Sequence, residues 1–352
     1  MHRRRFLTNL AVVPPAVLAA SCASDGPRRR VVYAGAFSLP KSVDEELWLE
    51  FEARVERELP NHDVRLLIRG ETGPEEATFA AMRRGRIQFT GGSFAGVATL
   101  VPEIAILSLP FFYDSVDEVD FVMDRYMLEP FRRLFAAKGL RLVQWSDVGW
   151  VSMYGRAPLR TPNEARGVRI RASTSIASQA LIEEIGADMI TLPFSDVLPA
   201  LQTGLIDAGV TSTIMYSLSG IPKVAPNFIL TRHSYDMGVT LISEKWFQSL
   251  DAAEQAVYAQ GLGDIAEARR RQRARAANLL EQLPKMGVQV YTPTAEEREA
   301  WRAAARPSYE KLIKKVGGES QRIYEALIEG KTAWRSASSG TQRNTSGGPT
   351  GS

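Results

Sequence analysis

The chain has 352 residues, 45% hydrophobic and 24% charged, the proportions of a globular protein with room for two or three domains and a sizeable core. Its formal charge is +3, and Arg3, Arg4 and Arg5 account for the whole excess, so the rest of the chain is balanced. That balance argues against a general nucleic-acid binder, whose affinity comes from neutralising phosphates with Lys and Arg.

The opening "MHRRRFLTNLAVVPPAVLAASC" (1–22) has a basic start, an apolar stretch from Leu10 to Ala20 and small residues before Cys22. It reads as an export signal, since the apolar run is too short for a membrane-spanning helix. "RRRFL" is similar to a twin-arginine export motif, with His2 where Ser or Thr is usual, so export by a Tat-like or Sec route to the periplasm is expected. "LAASC" is similar to a bacterial lipoprotein cleavage site, with Ala19 where Leu is commoner. Cys22 is then the candidate lipidation residue and membrane anchor; the alternative is a bystander beside an ordinary cleavage site. It is the only cysteine, so an exported chain is held by its core and not by an internal disulfide. "DGPRRR" (25–30) reads as a tether, and the fold is expected to begin at Val31.

A strand is predicted over 30–38 and a helix over 42–60, with Ser42 as its cap and Val43, Leu47, Phe51 and Val55 on one stripe. A strand at 63–70, a helix through "PEEATFAAMRRG" and a strand at "RIQFTGG" follow. This alternation points to an α/β domain with a largely parallel sheet. After an apolar elbow and helix at 105–124, "RLVQWSDVGWVSMYG" (141–155) reads as a strand whose Gly149 marks a bend or a crossing between domains.

From 168 a second strand-helix-strand series runs through "VRIRAS", "SIASQALIEEIG", "DMITLP", "SDVLPALQTG" and "LIDAGVTS". In "GVRIRAS" (167–173) strand alternation puts Arg169 and Arg171 on one face and Val168 and Ile170 on the other. Residues 243–287 read as mostly helical, with a long helix near 251–283. Its "RRRQRAR" (269–275) is expected to be an exposed face in preference to a docking surface. Residues 336–352 lack core formers and are expected to be disordered.

The stretch 166–212 resembles the extracytoplasmic solute-binding proteins of tripartite ATP-independent periplasmic (TRAP) transporters, the DctP-like family. The resemblance rests on the "RIR" strand, on "GADMITLPFSDVLPALQTG" and on "LIDAG", with "LSLPFFYDSVDEVDFVMD" adding to it. It implies an α/β, two-lobed periplasmic binding protein, a Venus-flytrap, with a long lobe-spanning helix. One lobe is expected at 31–148 plus 238–275 and the other at 149–237 plus 276–335. The implied function is capture of a small organic acid and delivery to an ion-gradient-driven TRAP permease, with no catalysis, no cofactor and no metal. The implied state is a monomer.

By resemblance the carboxylate clamp falls on Arg171, and Arg169 falls where Lys is frequent and outside the site. A guanidinium fork matches both oxygens of a carboxylate, so the assignment is chemically sound; the bland alternative is a structural ion pair. Thr211 stands by counting where many members carry an Asn that bonds the ligand. Many members also carry a second arginine after the crossing strand, where this chain has Trp150 and Val151, with Arg156 next. Those departures suggest a less hydroxylated acid with an apolar body resting on Trp145 or Trp150, although either tryptophan suits a core. In "TGGSFAG" (90–96) Ser93 nearly matches the nucleophile elbow G-x-S-x-G, but Ala95 replaces its last Gly and only His62 and His233 remain as partners. Ser93 is therefore a candidate ligand donor on a glycine-bearing loop, with Glu71 a weaker candidate on the preceding loop. The rival functions are a binding module feeding a signalling receptor and, less favoured, an exported serine hydrolase.

Overall fold

The computed structural model describes residues 29–345, with side chains as far as 338, so the export segment, Cys22 and most of the tether lie outside the described residues. The strands are β1 (Arg30–Gly35), β2 (His62–Leu67), β3 (Phe89–Ser93), β4 (Leu140–Gly155), β5 (Arg169–Ala172), β6 (Asp188–Thr191), β7 (Ala208–Ser212), β8 (Asn227–Ser243) and β9 (Gln289–Tyr291). They form a sheet ordered β2-β1-β3-β8-β4-β7-β5-β6, with β9 beside β8. Each half holds a parallel triad, β2-β1-β3 and β7-β5-β6. The expected largely parallel sheet is thus mixed at its centre, because β4 and β8 run antiparallel to each other and to their outer neighbours.

These two strands have 16 and 17 residues, roughly 50 Å of extended chain, enough to serve both halves. β8 carries β3 through Gly238–Ile242, and β4 carries β7 through Val151–Gly155. Between those attachments the β4–β8 register shifts at Asp147/Gly149, and it shifts again at Val151/Met153, where β7 joins. Gly149 lies at φ +102°, and no atom stands within 4 Å of where its Cβ would be. The glycine is therefore there for its backbone conformation and not for space.

The first helix is Val43–Glu58, and Ser42 Oγ accepts the Glu45 N–H at 3.1 Å. Val43, Phe51 and Val55 are buried as the stripe predicts, while Trp48, off the stripe, is buried with them. Phe51 stacks on Phe89 of β3 at 4.3 Å, with Trp48 edge-on to each. In the second half Ile170, Ala172 and Ala208 face a separate core with Leu181 and Trp301.

The helical expectations change at four points. The helix expected near 251–283 is two, Ala252–Tyr258 and Ile265–Gln282, parted where Gly261 and Gly263 adopt φ +58° and +100°. Ile265–Gln282 is the lobe-spanning helix: it packs on Val43–Glu58, on β4 and on the helix Thr213–Leu218 of the other half. Its arginine run is not simply an exposed face. Arg269, 5% exposed, grips Asp124 at 2.7 and 2.8 Å, Arg271 reaches Glu46 and Glu50, and Arg273 grips Asp120 at 2.8 Å twice and Asp147 at 2.7 Å. Residues 308–335, expected with the second lobe, bury Leu312, Ile323 and Leu327 in the first half's core beside Met127 and Phe131. The last helix runs Ser320–Thr345, through the start of the segment expected to be disordered, and 346–352 lie outside the described residues. No described helix is long and apolar enough to cross a membrane.

Arg273 is the pivotal pair-former, because the Asp147 side chain is 1% exposed and keeps only the Tyr235 hydroxyl without it. Arg273→Met should lower the unfolding free energy by about 3 kcal/mol, the scale for orphaning a buried charge. Arg270→Met, which breaks an exposed pair with Glu267, should cost less than about 1 kcal/mol. Urea unfolding of the two variants tests this; equal losses would contradict it.

Candidate ligand-binding site

A cavity of about 210 Å³ opens at the carboxyl ends of the parallel strands, where ligands of open α/β sheets gather. Ala36–Ser38 follow β1, Gly91–Ser93 end β3, Ser173–Ser175 follow β5 and Val210–Ser212 end β7; the middle of β4 and β8 contributes Ser146, Asp147, Ser234 and Asp236. The wall therefore belongs to both halves. Two contacts cross the cleft: Thr174 Oγ1 donates to Glu76 Oε1 at 2.5 Å, and Phe37 meets Phe194 edge-on at 6.3 Å.

Arg171 lines this cavity and is 5% exposed. Its Nε donates to Leu192 O at 3.0 Å, and among the described residues no carboxylate lies within ion-pairing distance of it. Burial pulls its guanidinium below its ordinary pKa, which marks a charge without full compensation. Arg169, on the same strand face but at its outer end, is held by Asp207 at 2.8 and 3.0 Å outside the cavity. Arg156 sits near that same carboxylate and also donates to Leu201 O.

Thr211, 7% exposed, also lines the cavity. Ser93 lines it too, but its hydroxyl donates to Glu75 Oε2 and its N–H to Glu75 Oε1, each at 2.6 Å. Glycines make this possible. A Cβ on Gly92 would stand 2.6 Å from Glu75 Oε1, and one on Gly96 would collide with the same carboxyl. The near-match to a nucleophile elbow is thus a cradle for a carboxyl group.

Three sequence candidates are not among the lining residues. Glu71 is exposed and accepts the Arg69 N–H of its own turn. Trp145 is 1% exposed in the core between Phe94 and Phe131, its indole donating to Met123 O at 3.2 Å. Trp150 stands edge-on to Tyr235 at 5.0 Å. The expected apolar platform on Trp145 or Trp150 does not form, and Trp48, Phe37 and Phe194 supply the cavity's aromatic surface.

The residues missed are acids. Asp44 bonds Ser38 and the Trp48 indole, and burial lifts it to about 6. Glu75 is lifted to about 7 by burial, with Glu76 and Asp44 adding to the rise. Asp236 is lifted to about 7 by burial and by Glu75. Asp44 and Glu75 look in sequence like the usual acids of a helix first turn. Asp236 had a signal, being an acid in the middle of the long apolar strand β8. His233 also lines the cavity, but burial pushes it down to about 3 and its Nδ1 meets Thr231 Oγ1, so it stays neutral. His62 lies elsewhere, between Tyr258 and Glu254.

The model of bacterial extracellular solute-binding protein family 7 matches residues 40–315. A similar relative is the ectoine-binding periplasmic protein of Halomonas elongata, 23% identical over 80% of this chain and 84% of its own length. Among solved structures, the sugar acid-binding protein of Advenella mimigardefordensis in complex with galactonate is 25% identical, with a TM-score of 0.80 over 87% of this chain and all of that one. A TRAP periplasmic solute-binding protein of Shewanella oneidensis with bound succinate is 20% identical, with a TM-score of 0.80 over 86% of this chain and 99% of that one.

The raised carboxyls set a pH dependence. Asp236 holds its proton in the folded state up to about 7 against 3.8 for a solvated Asp, so its contribution to stability is full below about 4 and is lost as pH rises through 7. Asp236→Asn, permanently neutral, should gain stability relative to the parent between pH 5 and pH 8. Urea unfolding at the two pH values measures the difference; a loss on going to pH 8 would mean that a cation already pairs with Asp236.

Proposed function

Because the chain belongs to family 7 of the bacterial extracellular solute-binding proteins, we propose that its cavity takes an organic carboxylate on Arg171. The protein is a periplasmic component of TRAP-type transport, without catalysis of its own, that captures an organic acid and delivers it to a membrane permease. The observation that supports Arg171 is its buried guanidinium, which finds no carboxylate partner among the described residues. A ligand carboxylate would supply that partner through two charge-assisted bonds, with Thr211 adding a hydroxyl.

The lobes we assign are 31–148, 238–275 and 308–335 on one side, and 149–237 and 276–305 on the other. The hinge then lies in β4 and β8 near Gly149 and Gly238, and a ligand favours the closed form through contacts made to both lobes. The Glu76 and Phe37 contacts across the cleft belong to that form. Ser93 is engaged by Glu75 and not by a histidine, which argues against the hydrolase. We place the lipid on Cys22 from the "LAASC" sequence, as an anchor for the exported chain.

Thermal unfolding against a panel of carboxylates tests the clamp. A ligand at a hundred times its dissociation constant adds about 2.7 kcal/mol and raises the midpoint by several degrees. Arg171→Ala should abolish the shift, since it removes a buried charge partner on the order of 3 to 5 kcal/mol; a shift that survives would move the site elsewhere. Cys22→Ala should move the protein from the membrane fraction to the soluble periplasmic fraction, and an unchanged distribution would remove the anchor.

A further inference from the structure

Among the described residues that line the cavity, Arg171 is the one cation, whereas Asp44, Glu75, Glu76, Asp147 and Asp236 are acids. Two of the five already face a cation: Asp147 is paired with Arg273 and bonded by Tyr235, and Glu76, which accepts the Thr174 hydroxyl, is the acid whose charge reaches Arg171. The other three form a cluster. Glu75 feels the charge of Glu76 and of Asp44, Asp236 feels that of Glu75, and no Lys or Arg pairs with Asp44, Glu75 or Asp236 among the described residues. Their partners are neutral: Ser38 and Trp48 for Asp44, Ser93 for Glu75, and the Met237 N–H for Asp236.

A carboxylate oxygen pair has about four acceptor sites, so these donors leave capacity facing the cavity. A second anionic end on the ligand would fit only with these carboxyls kept protonated, whereas a cationic end favours their ionised form and offsets the charge repulsion and burial that raise them. A cationic end would meet three acceptors. The two signs sit on opposite lobes, Arg171 at the end of β5 and Asp44 and Glu75 on helices of the first half, with Asp236 on the crossing strand β8.

We propose that the ligand is a zwitterion, an organic acid that also carries a cationic nitrogen: its carboxylate on Arg171 and its ammonium or amidinium group among Glu75, Asp236 and Asp44. This rests on the carboxylate reading above and narrows it. Binding then neutralises each lobe with one end of the same molecule, and the closed form is stabilised only when both ends are present. It also accounts for the glycines at 92 and 96, which admit the Glu75 carboxyl to the wall.

The test uses the full exported chain and three matched sets in thermal unfolding and calorimetry: alkanoates, dicarboxylates of the same lengths, and zwitterions. The last set holds α-amino acids, ω-amino acids of three to eight carbons, betaines and cyclic amidinium acids. A zwitterion should bind more tightly than its alkanoate and dicarboxylate counterparts. Asp236→Asn should weaken it roughly tenfold or more while strengthening the matched dicarboxylate. Glu75→Gln, which keeps one acceptor for Ser93, should act in the same direction and guards against a folding artefact in either variant. A panel in which no zwitterion shifts the transition overturns the inference; if acids alone still bind through Arg171, the carboxylate function stands without it. Binding of a zwitterion that survives Arg171→Ala would instead remove the clamp.

Discussion

A buried guanidinium with no carboxylate partner among the described residues is the constraint around which the molecule is arranged. Taking a charge out of water without compensation costs several kcal/mol, so Arg171 persists only where its surroundings leave it no alternative. β5 lies between β6 and β7, and Leu192 O holds Nε, which fixes where the rest of the fork points. Strand alternation gives Arg169 the same face, yet one pitch toward the outer end it meets Asp207 and solvent. Two arginines on one face thus have two fates, decided by their distance from the carboxyl end of the strand.

The opposite wall depends on backbone economy. Gly92 and Gly96 lack the carbons that would exclude the Glu75 carboxyl, and Ser93 between them supplies two donors to it. Ser212 ends β7 and caps the helix Thr213–Leu218 much as Ser93 ends β3 and caps Phe94–Val97, so each parallel triad delivers a serine-capped helix to the cleft. Between them run the long strands, with Gly149 in the left-handed region and Asp147 two residues before it. Arg273 grips Asp147 and Asp120 together, which ties the lobe-spanning helix to the strand at the point where the halves part. Residues that read as a surface charge run are therefore part of the framework that holds the middle of β4.

What could be seen in the chain beforehand follows from the range of the forces involved. Period-two and helical alternation, the Ser42 cap and the Gly149 interruption are local, and they marked the elements. The antiparallel return of β4 and β8 is a long-range choice that strand patterns alone do not fix. Trp145 and Trp150 illustrate the same limit, since an aromatic at a strand position suits a core or a cleft equally, and packing against Phe131 and Tyr235 decided the matter. The acids escaped notice for a different reason. Asp44 and Glu75 are ordinary first-turn residues until the sheet brings β3 and β8 beside them, and Asp236 gains its meaning from that meeting.

The central point to measure is that the ligand-free cavity holds carboxyls lifted toward neutrality opposite an arginine with no carboxylate partner among the described residues. Carbon-detected NMR titration of the Asp and Glu carboxyls in the ligand-free protein reads it directly, with assignments from Asp44→Asn, Glu75→Gln and Asp236→Asn. Three carboxyls should titrate near pH 6 to 7, well above the rest. Carboxyls at these positions that all titrate below about 5, the range of solvated or cation-paired groups, would contradict it.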